Sequence, residues 1–227
     1  MATAMPTSAW PQVGERRFLI PLVDWDGYEA LLKLVGDRRT IRVTYDRGTV
    51  ELMSPLPVHE RYGYLLGRMI QAITEELEIP MTCTRSMTFR RRSKDRGLEA
   101  DDSYYIANVH LVPDEDRIDL EVVPPPDLAI EVEITNSILS RLDVYAGLGV
   151  PEIWRFDGVR LTVLILGREG VYAPSDTSLS LPFLPMDEIV RFLGEYIPGD
   201  DTRWARRFRA WVRDVLLPIY RNPAAPE

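Results

Sequence analysis

Between Asp127 and Ile134 the chain alternates acidic and apolar residues. Successive side chains of a strand point to opposite faces. Leu128, Ile130, Val132 and Ile134 therefore share one face, and Asp127, Ala129, Glu131 and Glu133 share the other. Three carboxylates on one strand face repel each other and are poor strand formers. Two arrangements would relieve them. One is a solvated face paired with arginines. The other is a divalent cation, since aligned carboxylates are hard oxygen ligands suited to Mg²⁺ or Mn²⁺. A second source of acid is Glu99-Ala100-Asp101-Asp102. Asp101 and Asp102 point to opposite faces, so at most one joins a given site. If their strand neighbours the Asp127 strand, Asp101 meets Glu131 across the ladder; otherwise Asp101 simply starts its strand. Phosphodiester hydrolysis would use such a set. A divalent ion neutralises the phosphate and acidifies the attacking water, a cationic side chain steadies the developing charge, and arginines hold the nucleic-acid backbone.

The surrounding elements must position these acids. Asp24 is a candidate N-cap for a helix over Trp25–Val35, where Tyr28, Leu31, Leu32 and Val35 recur at helical spacing. Ile41–Tyr45 and Thr49–Met53 flank Asp46-Arg47-Gly48 as a hairpin. Tyr62, Leu65, Leu66, Met69, Ile70, Ile73 and Leu77 form the clearest helical stripe, stopped by Pro80. Strands are expected over Met81–Arg92, Ala100–Asn108, Asp127–Thr135, Glu152–Asp157 and Arg160–Leu166, with a weaker one over Glu169–Pro174. Val109–Leu120 reads as a turn or short helix with Asp114-Glu115-Asp116 exposed. Helices are expected over Ser137–Leu148, Met186–Tyr196 and from Asp201 or Thr202 onward, the last burying Trp204, Phe208, Trp211, Val212 and Val215. Together these give an α/β class with a central mixed β-sheet flanked by helices. The expected division is an N-terminal arm over residues 1–20, a main domain over 21–185 and a C-terminal helical extension over 186–227.

With 227 residues, 45% hydrophobic, the chain can bury a proper core. No run of eighteen apolar residues predicts a membrane span, and Met1–Arg17 has no apolar stretch of signal-peptide type. Cys83 is the single cysteine, which suggests a reducing, cytoplasmic setting. The net charge of -8 argues weakly against general nucleic-acid binding, but distribution matters more than the sum. Arg85, Arg90, Arg91, Arg92, Lys94 and Arg96 form one basic cluster; Arg203, Arg206, Arg207, Arg209 and Arg213 form another. Each is either a contact surface or a solvated face. Lys33 and Lys94 are the only lysines.

Several segments resemble the Uma-type restriction-endonuclease family of the PD-(D/E)XK nuclease superfamily. Pro125 through Ser137 (Pro-Pro-Asp-Leu-Ala-Ile-Glu-Val-Glu-Ile-Thr-Asn-Ser), followed by Arg141 through Trp154 with its Gly-Val-Pro-Glu-Ile-Trp ending, is similar to the family signature. Gly97 through Ile106 resembles its Glu-Pro-Asp strand, with Ala100 in place of proline, and Met53 through Glu60 resembles the lead-in to its long helix. The resemblance implies a restriction-endonuclease-like fold, a Mg²⁺ or Mn²⁺ site and endonuclease chemistry on DNA. By position, Asp101 would be the first metal ligand and Glu131 the second. Glu133 stands where the superfamily has lysine, and could assist the metal or pair with Arg141. Arg141, four residues before Tyr145, stands where the family often carries a substitute basic residue. It stays protonated and so cannot act as a base, but it could stabilise the transition state. Glu60 falls where the superfamily often has an accessory carboxylate. His59 lies at the edge of the apolar stripe and is either a packed residue or a site residue; Pro151 and Trp154 read as a turn and a packing anchor.

Three readings follow. The first is a metal-dependent DNA endonuclease, plausibly a homodimer because cutting both strands suits a symmetric pair. The second is a nuclease fold that has lost its lysine and binds DNA or a partner through Arg85–Arg96. The third is a structural dimer formed through Trp204, Phe208 and Trp211.

Overall fold

The computed structural model describes residues 16–36, 41–112, 118–135 and 137–222. Residues 1–15 of the expected arm and the acids Asp114-Glu115-Asp116 lie outside them. The chain order is β1 (Arg16–Pro21), α1 (Trp25–Val35), β2 (Arg42–Asp46), β3 (Thr49–Ser54), α2 (Pro57–Leu77), β4 (Thr82–Cys83), β5 (Thr88–Arg91), β6 (Arg96–Glu99), β7 (Asp102–Tyr105), β8 (Leu128–Val132) and α3 (Arg141–Leu148). It continues through β9 (Glu152–Phe156), β10 (Leu161–Leu166), β11 (Tyr172–Ser175), α4 (Met186–Gly194), α5 (Asp201–Trp211) and α6 (Leu217–Arg221).

The strands divide into two sheets. A mixed sheet runs β11-β10-β9-β8-β7-β4, and an antiparallel one runs β1-β3-β2-β6-β5. Within the mixed sheet β8 and β9 are parallel, joined by the α3 crossover, while β7 runs antiparallel to β8. The alternation read from the sequence sets the two faces of β8. Leu128, Ile130 and Val132 join α2 residues Leu65, Leu66, Met69, Ile70 and Ile73 and the β9 residues Trp154 and Phe156 in one core. Ala129 turns the other way, into a core with Val144, Tyr145 and Leu148 of α3 and with Phe89 and Leu98 of the antiparallel sheet. Each fully buried aliphatic or aromatic side chain in these cores contributes roughly 1.5–3 kcal/mol.

Local chemistry sets the element ends. Asp24 caps α1 by accepting from the Gly27 N–H at 2.8 Å. Arg47 and Gly48, with φ of 44° and 87°, give the β2–β3 hairpin the left-handed pair that matches strand twist. Ser140 caps α3, and Gly149 closes it in the left-handed conformation. On α2, Gly67 permits close approach to β7: a Cβ there would lie 2.6 Å from Asp102 Oδ2 and 2.9 Å from the Tyr104 hydroxyl, whereas one on Gly63 would sit 3.7 Å from the nearest atom, the Asp101 Cβ. Both gain helix propensity on substitution by alanine, but only one is overpacked. Gly67→Ala is therefore expected to be less stable than Gly63→Ala by roughly 1–3 kcal/mol in urea unfolding; equal stabilities would contradict this packing.

The structure corrects several expectations. Met81–Arg92 is two short strands in different sheets, separated at Arg85, whose φ of 50° turns the chain. Arg96–Glu99, which lies between the two expected strands, is β6, and Arg16–Pro21, at the end of the expected arm, pairs with β3 as β1. The strand expected over Asp127–Thr135 spans only Leu128–Val132. In the C-terminal helices Pro218 lacks an N–H, and a π turn over Val212–Leu216 precedes it. The buried row is consequently Trp204, Phe208, Val212 and Leu216, with Val215 46% exposed. That row packs into the α2 core, so Trp204 and Phe208 do not form a dimer surface. No described helix is long and apolar enough to cross a membrane.

Candidate functional site

The chain crosses from one sheet to the other at Ala100–Asp101, between β6 and β7. The β7–β8 register pairs Asp102 with Ile130; one step further, Asp101 stands opposite Glu131. Asp101 donates its N–H to the Ile130 carbonyl at 3.2 Å, and its Oδ2 accepts from the Val132 N–H at 2.7 Å. The side chain thus takes the next ladder position and is fixed beside β8.

Glu131 is buried. Its carboxylate accepts from Arg141 Nε and Nη2 and, at 2.8 Å, from the Tyr145 hydroxyl. Arg141 also donates to Thr44 Oγ1 and to the Glu99 carbonyl, both at 2.7 Å. The caps of α3 and the short β8–α3 crossover place this guanidinium behind the carboxylate. Burial works against the charged form, but the Glu131 carboxylate alongside raises the Arg141 pKa well above its ordinary value, so Arg141 remains a cation. Burial, with Glu131 alongside, holds the Tyr145 phenol well above its ordinary range.

A second guanidinium comes from β2. Arg42 donates through Nη1 to the Ala100 carbonyl at 3.2 Å and through Nη2 to Glu60 Oε1 at 3.0 Å. The same Nη2 lies 3.6 Å from Asp101 Oδ1, and the buried Nε has no hydrogen-bond partner. Arg42, His59, Glu60, Gly63, Tyr64, Arg85, Ser86, Asp101 and Asp102 line a cleft between the first turns of α2 and the start of β7. Glu60 stands at its mouth, with a side chain 53% exposed.

The charges in this cluster do not balance. Glu60, Glu99, Asp101 and Glu131 are four carboxyls facing two guanidiniums, Arg42 and Arg141. Burial first, and the Glu131 carboxylate second, push Asp101 up to about 6. Burial also raises Glu99, against the pull of Arg42 and Arg141. Among the described residues these four carboxyls outnumber the two guanidiniums by two, the charge of one divalent ion. Among the described residues, however, no group of three or more acid, histidine or cysteine side chains is gathered closely enough to hold a metal unaided.

The sequence-derived candidates therefore separate. Asp101, Glu131, Arg141 and Glu60 converge. Glu133 does not: β8 ends at Val132, and Glu133 lies 3.6 Å from Arg155 rather than beside Arg141, while its N–H donates to Phe156. Asp127 caps a loop instead, accepting from Ile106, Asn108 N and Asn108 Nδ2. Asp102 diverges from Asp101 to accept from Cys83 Sγ and the Tyr104 hydroxyl. His59 is buried beside the cleft. In the Gly149–Trp154 segment, Glu152 accepts from Trp154 Nε1 and Ser180 N, a packing role. Arg42, Thr44 and Tyr145 were not among the sequence-derived site residues. Arg42 and Thr44 carry a signal, being polar residues alternating with buried Val43 and Tyr45 on one strand.

Of the basic residues, Arg90 lies 3.2 Å from Glu29 and Arg92 3.2 Å from Asp26. Arg96 pairs with Asp46 at 2.9 Å, and Arg91 donates to the Leu120 carbonyl. Arg203, Arg207, Arg209 and Arg213 likewise pair with Asp200, Glu195, Glu75 and Glu76. Most of both clusters is therefore spent within the fold.

A mixed sheet with a parallel βαβ unit, helices on its faces and an acidic pair at the β7–β8 junction defines a restriction-endonuclease-like α/β protein. The chain belongs to the Uma2 family, described as "Putative restriction endonuclease", whose model matches residues 25–192. No curated protein matches it.

Proposed function

We propose that the protein is a Mg²⁺- or Mn²⁺-dependent endonuclease that hydrolyses DNA phosphodiester bonds, acting in the cytoplasm as a homodimer. The observation that carries this reading is the placement of Asp101 opposite Glu131, in a cluster where, among the described residues, carboxyls outnumber guanidiniums. The residues fit a cation of this kind. Mg²⁺ commonly takes one or two carboxylates and completes its shell with water and substrate phosphate, so a third side-chain ligand is not required. Among the described residues Asp101 Oδ1 accepts no hydrogen bond, with Arg42 Nη2 at 3.6 Å, and is the most available oxygen. Glu131 would share a lone pair already oriented by Arg141 and Tyr145. The bound ion would supply charge neutralisation at the phosphate and a more acidic water.

Two arginines divide the work of the absent lysine. Arg141 commits its donors to Glu131, Thr44 and Glu99, and so orients Glu131. Arg42 borders the cleft with an unpartnered Nε and is the guanidinium available to a phosphate oxygen. Glu60 orients Arg42 from the cleft mouth. Glu133, held near Arg155, lies outside this set.

One observation favours a second reading. Glu131 is already neutralised by Arg141, so the fold would also persist as a catalytically silent module that binds DNA or a partner. Incubation with covalently closed circular DNA decides between them. The nuclease reading expects opened circles with Mn²⁺ or Mg²⁺ and none with EDTA; intact circles with every divalent metal, from folded protein, would leave the silent module.

A further inference from the structure

Of the arginines that the fold leaves unpaired next to the cleft, only Arg85 belongs to a basic cluster of the sequence; Arg61 and Arg68 do not. Arg61 and Arg68 stand on the exposed face of α2, with Tyr64 between them at helical spacing. Seven residues of helix separate the two arginines by about 10 Å. Arg85 is exposed across the cleft from Tyr64, and both border it. Among the described residues none of the three arginines has an acid at ion-pair distance, although thirteen others in a chain of net charge -8 do. The row is also held in place. Gly67 lets another side of α2 approach Asp102 and Tyr104 closely. Arg85 is a non-glycine residue at φ 50°, and Ser103 Oγ donates to its carbonyl at 2.8 Å. Residues held in such sparsely populated backbone regions concentrate at functional sites.

We propose that Arg61, Tyr64, Arg68 and Arg85 form the track that holds the sugar–phosphate backbone of duplex DNA and leads one strand to Asp101. The spacing along α2 is about the axial rise of three phosphates on one strand. Three unpaired guanidiniums beside a carboxylate cleft complement a polyanion, and Tyr64 offers a further donor. This inference rests on the nuclease reading for its substrate, but its test does not depend on cleavage.

The test is the salt dependence of binding by the full-length protein to a labelled duplex, followed by fluorescence anisotropy in EDTA. Each phosphate contact contributes about 0.9 to the slope of log affinity against log salt. Arg61→Ala/Arg68→Ala/Arg85→Ala should therefore bind more weakly, with a slope shallower by roughly 2–3. Arg160→Ala/Arg168→Ala, at exposed turns that do not line the cleft, should leave it unchanged. The substituted side chains are exposed and bond nothing, so the triple variant should keep the wild-type circular dichroism. An unchanged slope overturns the track, as does a wild type that binds no duplex or binds single-stranded RNA more tightly. Cleavage by the wild type with an unchanged slope leaves the nuclease reading standing without the track. A shallower slope in a protein that cuts nothing supports the track and removes the nuclease.

Discussion

Replacing Glu131 with Ala is expected to abolish DNA cleavage and to destabilise the protein by about 3–5 kcal/mol, the range for breaking a buried ion pair from one side. The large cost comes from what remains. Arg141 is as buried as its partner and stays charged. Without the carboxylate it keeps Thr44 Oγ1 and the Glu99 carbonyl but no counter-charge nearer than Asp101. Tyr145 loses its acceptor as well, and its buried unsatisfied hydroxyl is part of that cost. Urea unfolding measures the loss. The double variant Glu131→Ala/Arg141→Met should recover much of it, because an apolar side chain of similar length does not demand a counter-ion. A Glu131→Ala protein within about 1 kcal/mol of the wild type would show that the Arg141–Glu131 pair does not hold these layers together.

Asp101→Asn should behave in the opposite way, losing cleavage while gaining stability in the absence of metal. The Asp101 carboxyl is raised from its ordinary 3.8 to about 6 by burial and by Glu131. In EDTA, between pH 4 and 6 or so, the folded protein keeps a proton that the unfolded chain has released. Wild-type stability contributed by this group is thus full below about pH 4, falls as pH rises through about 6, and stays low above it. Asparagine does not ionise and can still accept from the Val132 N–H. The two stability curves should meet near pH 4 and separate by on the order of 2–3 kcal/mol at pH 8, in favour of Asp101→Asn. Saturating Mn²⁺ should raise the melting temperature of the wild type, since a ligand of the folded state stabilises it, and leave Asp101→Asn nearly unmoved. A variant less stable than the wild type at pH 8 in EDTA would mean that Asp101 is satisfied as an ion without a cation.

The two variants separate two uses of acid in one cluster. Glu131 is compensated within the protein and supports the fold. Asp101 is under-compensated, and its cost to stability is the kind that a functional site retains.

Much of this arrangement was legible in the sequence because it rests on short-range periodicity. The α2 stripe, the Asp24 cap of α1, the Arg47-Gly48 turn and the two faces of β8 each depend on residues within a few positions of one another. The pairing of Asp101 with Glu131 followed from strand adjacency, and the register bears that adjacency out. What was not legible depends on distance or on where an element stops. Met81–Arg92 reads as one extended segment, and only the left-handed Arg85 sends its halves to different sheets. Glu133 shares parity with Glu131, but it lies past the end of β8 and pairs with Arg155, the β9 residue registered opposite Glu131. The Arg42 interaction with Ala100 spans 58 residues, and no local pattern encodes it. Arg90, Arg92 and Arg96 look like a binding patch until their partners on α1 and β2 are known.

The most direct measurement is the opening of supercoiled plasmid at pH 8 with Mn²⁺, comparing wild type with Asp101→Asn from matched preparations whose folding is verified by thermal melting. The account predicts metal-dependent nicking by the wild type and at least a hundredfold less by a variant that melts higher in EDTA, in line with the several kcal/mol that a metal-assisted step supplies. Nicking by Asp101→Asn at the wild-type rate would contradict it, and would place the chemistry of this protein elsewhere than at the Asp101–Glu131 pair.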